Sequence, residues 1–268
     1  MHNKQMKHTL TLLLLIVLLG SCSSLRKKPV TIYLIGDSTV ANYADNYDSG
    51  KDYFKTRYPV TGWGQVFQEY FTASEMRDFK PLIKTKKIVV DDRARGGRST
   101  RTFFQEGRWR SVYENLHKGD IVIMQFGHND GAENKPERYV DVAGYKEFLR
   151  LFAAQAIEKK AKPIILSPVA RNYPWKDGHL ENIHGQYPDA AKEVANESGA
   201  YFIDLNRLSM DEFSRKGRDY VSNHYFMNLP PNKYEAYPEG SSDNTHFQPE
   251  GAKAVAKLVF EAMKELKK

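Results

Sequence analysis

Val30-Thr31-Ile32-Tyr33-Leu34-Ile35-Gly36-Asp37-Ser38-Thr39-Val40 is the stretch whose reading decides the fold. Thr31 to Ile35 is a dense β-prone run that ends in glycine, which reads as a central strand buried on both faces. Such a strand delivers Asp37 and Ser38 to its C-terminal edge. In open α/β sheets the loops leaving that edge form the ligand crevice, and helix N-termini point amide donors into it. Ser38 is therefore a candidate nucleophile. The alternative is that Asp37, Ser38 and Thr39 only cap a helix, since all three residue types are favoured caps.

Working outward, four further apolar runs read as strands: 87–91, 120–126, 163–166 and 201–205. Helical spacing is expected at 65–71, 145–160, 190–197 and 249–266, with Phe148, Leu151, Phe152 and Ile157 facing inward on the second of these. Gly199 stops the third, and Pro249 and Glu250 open the last. Trp63 reads as core at a helix start, with sugar stacking as the alternative. The stretches 41–61, 171–187 and 218–242 are polar, aromatic and without apolar period, so they read as long loops. Five strands alternating with helices predict an α/β fold, a three-layer α/β/α sandwich around a mostly parallel five-stranded sheet.

The chain has 268 residues, 41% hydrophobic, 12% aromatic and 27% charged, a composition for one ordered globular core rather than a disordered chain. Its start differs from the body. His2, Lys4, Lys7 and His8 precede an almost unbroken aliphatic run, Leu10 to Leu19, and then Gly20-Ser21-Cys22. This pattern predicts an export signal too short to span a bilayer comfortably. Leu19-Gly20-Ser21-Cys22 also resembles the bacterial lipoprotein box, so residues 1–21 are expected to be a lipoprotein signal peptide and Cys22 its lipidation site. Residues 22–28 then form a tether and 29–268 the folded domain. Cys22 is the only cysteine, which rules out an intramolecular disulfide. Losing residues 1–21 removes Lys4, Lys7 and no acid, so the formal charge of +7 falls by two. That mild excess favours an anionic partner weakly, and no Lys/Arg run argues for nucleic acid.

The strand at 87–91 leads to Ala94-Arg95-Gly96-Gly97-Arg98-Ser99-Thr100-Arg101, where paired glycines either bring bare backbone N–H groups close to a ligand or make a tight turn. The strand at 120–126 ends in Gly127-His128-Asn129-Asp130, and the chain later supplies Asp243-Asn244-Thr245-His246. A hydroxyl nucleophile, an imidazole, a carboxylate and oxyanion donors are what acyl transfer requires.

On these blocks the sequence resembles the SGNH hydrolases, also called the GDSL family of lipases and esterases. Gly36-Asp37-Ser38, Gly97, Gly127-His128-Asn129-Asp130 and Asp243-x-x-His246 occur in the family's order. Gly96 to Phe103, Glu106-Gly107-Arg108-Trp109, Gln125 to Asp130 and Thr245-His246-Phe247 are similar to its rhamnogalacturonan acetylesterase branch. The resemblance implies an SGNH hydrolase domain in which Ser38 attacks an acetyl carbonyl, His246 is general base and then acid, and Asp243 orients the imidazole. It also implies an oxyanion hole made of the Ser38 and Gly97 amides with the Asn129 side chain. No cofactor is expected. His128 is read as structural. The substrate expectation is an acetylated polysaccharide, first of all acetylated rhamnogalacturonan, with acetylxylan or another ester as the alternative. Arg98 and Arg101, with Arg95 nearby, are candidates for binding its carboxylates. Contact with a membrane is expected through the lipid anchor alone.

Other readings fare worse. The Gly-x-Ser-x-Gly elbow, a phosphate-binding glycine loop and a His-Glu-x-x-His helix are all absent from the sequence. A two-metal phosphoesterase would draw on Asp37, His128, Asn129, Asp130 and His246, but His128-Asn129-Asp130 runs in the wrong order for its opening motif. A non-catalytic glycan-binding lipoprotein leaves the coincidence of Ser38, Asn129 and His246 unexplained.

Overall fold

The computed structural model describes residues 29–266 apart from 46, 73, 78, 80, 81, 84 and 86. The expected signal peptide, Cys22 and the tether lie outside the described residues. In chain order the strands are β1 (Val30–Gly36), β2 (Ile88–Asp92), β3 (Ile121–Gln125), β4 (Lys162–Leu166), β5 (Trp175–Lys176), β6 (His179–Leu180), β7 (Tyr201–Ile203), β8 (Phe226–Leu229) and β9 (Ser241–Phe247). Five of them make one sheet in the order β2-β1-β3-β4-β7, and all four pairings are parallel. β5 and β6 form a small hairpin, as do β8 and β9. The principal helices are α1 (Trp63–Phe67), α2 (Thr100–Gln105), α3 (Arg108–Asn115), α4 (Val142–Glu158), α5 (Tyr187–Ser198), α6 (Leu205–Lys216) and α7 (Pro249–Lys264).

The alternation of side chains along each strand separates two apolar layers. Ile32, Leu34, Ile121, Ile123, Ile164, Leu166 and Ile203 pack with α1, α6 and α7. Tyr33, Ile35, Val122, Met124 and Ile165 pack with α2, α3, α4 and α5 on the opposite face. Each large aliphatic side chain so buried contributes about 1.5–3 kcal/mol relative to exposure. This is the expected three-layer sandwich. Among the described residues no helix is long and apolar enough to cross a membrane.

Three local expectations are corrected. In α4 the buried stripe is Tyr145, Leu149, Phe152, Ala153 and Ala156; Phe148 and Leu151 are half-buried and Ile157 is 43% exposed. The small alanines let the helix approach its neighbours closely, and that fixes its rotation in place of the larger Ile157. Residues 218–242 are not a continuous loop, because β8 pairs antiparallel with β9. Finally, Asp37-Ser38-Thr39 caps no helix. It forms a turn in which Asp37 Oδ1 accepts the Thr39 N–H at 2.9 Å and its Oγ1–H at 2.8 Å.

The strand order places a reversal between β1 and β3. β2 lies to one side of β1, and β3, β4 and β7 follow on the other. Loops leaving β1 and β3 therefore diverge at their C-terminal ends and open a crevice there.

Candidate active site

The turn after β1 rests on a buried polar chain. Trp63 Nε1 donates to Gln125 Oε1 at 2.9 Å, Gln125 Nε2 donates to Thr39 Oγ1 at 2.7 Å, and Thr39 Oγ1 donates to Asp37 Oδ1. Trp63 is thus core, fully buried, as its place at a helix start suggested. The chain crosses from α1 through β3 to β1 and fixes the backbone that carries Ser38. Tyr43 Oη donates to the Ser38 carbonyl at 2.8 Å from the loop above.

The glycine turn after β2 is drawn against this one. Arg95 N–H donates to the Gly36 carbonyl at 3.0 Å, and Gly96 N–H donates to Tyr47 Oη at 2.9 Å. A Cβ on Gly96 would lie 2.5 Å from Tyr47 Oη and 3.4 Å from Ser38 Cβ, so a side chain there would displace the Tyr47 hydroxyl that accepts the Gly96 amide. Gly97 has φ +78°, in the left-handed region that L side chains rarely adopt. From the loop after β3, Asn129 Nδ2 donates to the Arg98 carbonyl at 3.0 Å. Asp130 ties the same loop to α2, with Oδ1 accepting Thr100 N–H at 2.9 Å and Thr100 Oγ1–H at 2.6 Å, and Oδ2 accepting Gly127 N–H at 3.1 Å. Burial pushes the Asp130 carboxyl up to about 7 despite these donors.

His246 and Asp243 come from β9, and the irregularity of that strand is what presents them. Met227 pairs with Asp243 while the adjacent Phe226 pairs with Phe247, so residues 244–246 bulge out of the ladder. His246 Nδ1 lies 2.6 Å from Asp243 Oδ2. Asp243 Oδ1 accepts the Thr245 and His246 amides at 2.8 and 3.0 Å. Burial pushes the Asp243 carboxyl up, but the imidazole and these amides outweigh it and hold it below the usual carboxylate value. A carboxylate held ionised against Nδ1 fixes the tautomer that leaves Nε2 free to accept a proton.

Ser38, Gly97, Asn129, Asp243 and His246 all line one cleft of about 890 Å³ at the C-terminal edge of the sheet. Among the described residues, the Ser38 and Gly97 amides donate no hydrogen bond and the Ser38 hydroxyl has no partner. A hydroxyl and two backbone donors thus face the cleft uncommitted, with the Asn129 amide beside them. A serine–histidine contact not yet closed is common before substrate binds.

His128 is buried below the cleft with Nδ1 3.2 Å from Asp37 Oδ2. That is an ion-pair distance without hydrogen-bond geometry, and neither atom has another partner. Burial pushes the Asp37 carboxyl up, but the charge of His128 and the donors on Thr39 hold it below its ordinary value; burial pushes His128 down. His184 stacks edge-on against His128 at 4.6 Å, and Nε2 bonds the Val169 carbonyl at 3.0 Å. Two of the five residues of the phosphoesterase reading are committed elsewhere. Asp130 is turned to Thr100 and Gly127, and His246 to Asp243. No group of three or more His, Cys, Asp or Glu among the described residues is arranged to hold a metal ion.

The arginines require the largest revision. Arg98 Nε donates to both Glu106 carboxylate oxygens at 3.0 Å and Nη1 to the Gly96 carbonyl at 2.8 Å. Arg101 Nη2 donates to the Pro136 and Tyr139 carbonyls at 2.9 and 3.0 Å. Both are spent holding loops together, and neither lines the cleft. Arg95 lies over the Tyr47 ring, 3.7 Å from its centroid. The cations on the cleft wall are Arg57, Lys135, Arg138 and Arg171, against the carboxylates of Glu133 and Asp243. Arg171 is held by Tyr173 Oη, Thr245 Oγ1 and the His128 carbonyl. Sequence reasoning missed these four. A charge in a loop gives no local signal of which way it faces.

Comparison with known proteins agrees with this architecture. The model of the GDSL-like lipase/acylhydrolase family matches residues 34–254. The chain is 36% identical over 240 residues to the rhamnogalacturonan acetylesterase RhgT of Bacillus subtilis, covering 90% of this chain and 92% of that one. It is 25% identical over 253 residues to a rhamnogalacturonan acetylesterase of Emericella nidulans, covering 87% and 84%. Among solved structures, the YxiM protein of Bacillus subtilis superposes with a TM-score of 0.69 at 26% identity, over 89% of this chain and 57% of that one. The family match spans Ser38, Gly97, Asn129, Asp243 and His246 on the fold that brings them to one cleft, and the chain belongs to the GDSL-like lipase/acylhydrolase family.

Proposed function

We propose that the protein removes O-acetyl groups from a plant cell-wall polysaccharide, acetylated rhamnogalacturonan first of all. The observation that carries the chemistry is the Asp243–His246 pair facing the same cleft as an uncommitted Ser38 hydroxyl and three oxyanion donors. Ser38 Oγ attacks the acetyl carbonyl as His246 Nε2 takes its proton. The negative oxygen then meets the Ser38 and Gly97 amides and Asn129 Nδ2. Collapse expels the sugar hydroxyl, which takes the proton from His246 and leaves an acetyl-enzyme. Water, deprotonated by the same imidazole, releases acetate and restores Ser38.

The similarity to two rhamnogalacturonan acetylesterases supports the polymer assignment. So does the surplus of cations over carboxylates on the cleft wall, because this polymer carries uronate charges and acetylxylan is largely neutral. The test is acetate release from acetylated rhamnogalacturonan and acetylated xylan at low and raised salt. The pectic polymer should be hydrolysed with the higher kcat/KM and show the steeper fall as salt screens the cleft. Faster turnover of xylan with no difference in salt response would remove the polymer assignment and leave the esterase chemistry intact.

The same reading places the enzyme outside the cytoplasm on a lipid anchor at Cys22, supported by Leu10 to Leu19 and the Leu-Gly-Ser-Cys box. Expressed at full length in a bacterium, the protein should partition into detergent, and Cys22→Ser should leave it soluble or unprocessed. A mature N-terminus at any other residue would overturn the anchor.

A further inference from the structure

Arg138 stands in the loop between β3 and α4 with its side chain 21% exposed. Its Nε is buried without a hydrogen-bond partner, and no other atom of the guanidinium has one among the described residues. The nearest carboxylate is Glu137, 3.7 Å from Nε but itself 69% exposed, a contact with little hold. Every other arginine on the cleft wall is occupied. Arg57 pairs with Asp48 and packs over Tyr43 and Tyr47, and Arg171 spends three donors on its own loops.

The position of this open guanidinium is specific. A Cβ built on Gly97 would lie 3.2 Å from Arg138 Nη1. Arg138 therefore flanks the glycine whose amide is to receive the oxyanion, on the wall of the cleft that holds Ser38. Buried donors are ordinarily satisfied, and five N–H groups in a planar fork match the two oxygens of a carboxylate. We infer that Arg138 is a specificity-determining residue that binds a uronate carboxylate of the substrate within one sugar ring of the reacting acetyl. This rests on the esterase reading above and adds to it the group that selects an anionic sugar. Lys135, from the same loop, lines the cleft nearby and adds charge without the fork.

The test uses a deacetylated rhamnogalacturonan oligosaccharide and its carboxyl-reduced, neutral counterpart as competitive inhibitors of 4-nitrophenyl acetate hydrolysis. For the wild type the acidic form should bind roughly tenfold more tightly, the worth of a charge-assisted hydrogen-bonded pair. In Arg138→Gln the ratio should fall to the small preference that the remaining cleft cations give, and Arg138→Lys should keep an intermediate ratio, since it retains the charge without the fork. Each ratio is taken within one variant, so general damage to the site cancels, and the lysine variant answers if the glutamine variant fails to fold. A ratio in Arg138→Gln as large as in the wild type, or a wild type indifferent to carboxyl reduction, would overturn the inference. A wild type that binds the acidic form through Arg138 yet deacetylates xylan faster would overturn the polymer assignment and leave this subsite standing.

Discussion

Ser38→Ala is expected to fold like the wild type and to lose on the order of 10⁴- to 10⁶-fold in kcat, the range seen when a hydrolase loses its serine nucleophile. The fold should survive because the Ser38 hydroxyl has no partner among the described residues. The backbone that carries it is held instead by Asp37, Thr39, Gln125 and Trp63. The residue that remains active should be only what the oxyanion donors and substrate binding give without a nucleophile. His246→Ala should fall into the same range. The two losses should not add, because base and nucleophile act in one step. The double variant should be about as slow as either single one. Measured rates that multiply, or a Ser38→Ala enzyme within about tenfold of wild type, would show that another group attacks the ester. Circular dichroism and a thermal midpoint close to wild type complete the measurement.

Asn129→Ala should lower kcat by about 10²- to 10³-fold with a smaller effect on KM, the usual consequence of losing one oxyanion donor. The asymmetry follows from charge. The acetyl carbonyl is neutral when it binds and anionic in the transition state, so a preorganised donor is worth more at the second stage than the first. Asn129 is 8% exposed and its side chain is already positioned by the Arg98 carbonyl, so little reorganisation is needed when the substrate arrives. Deleting the amide also removes that link between the loops after β2 and β3. Part of the loss would then be positional, and it should appear as a lower thermal midpoint. Near-wild-type kcat in a folded Asn129→Ala enzyme would remove it from the oxyanion hole.

These losses belong to residues that the sequence itself singles out. β1, β3 and β4 are legible because they are buried on both faces and read as nearly continuous apolar runs, and the half-buried edge strands β2 and β7 still show as short β-prone runs, a local property of the chain. Ser38, Gly97 and Asn129 stand out for a related reason. Each follows such a run within a few residues, and a ligand at the sheet's C-terminal edge can be approached only by small or polar groups there. Asp243 and His246 are found through their spacing alone. The strand that carries them is not, since Ser241-Ser242-Asp243-Asn244-Thr245-His246 contains no apolar alternation before Phe247. Its pairing with β8 joins residues more than ten apart around an intervening loop.

The arginines mark where local reading ends. Arg98 and Arg101 lie beside Gly97, the proposed oxyanion glycine, in sequence, yet Glu106 and the Pro136 and Tyr139 carbonyls hold them away from the cleft. Arg138, some forty residues on, reaches Gly97 across space. In the same way, whole-helix periodicity placed Ile157 inside, where close packing chose Ala156 instead. The sequence by itself determined the layered α/β architecture and singled out the proposed reacting groups, because strand hydrophobicity and block spacing are written within short windows. Tertiary structure alone decided which charges face the substrate, how α4 is rotated and how a bulge in β9 aims His246. Those outcomes depend on partners distant in the chain and on the competition among them for the same hydrogen bonds and the same space.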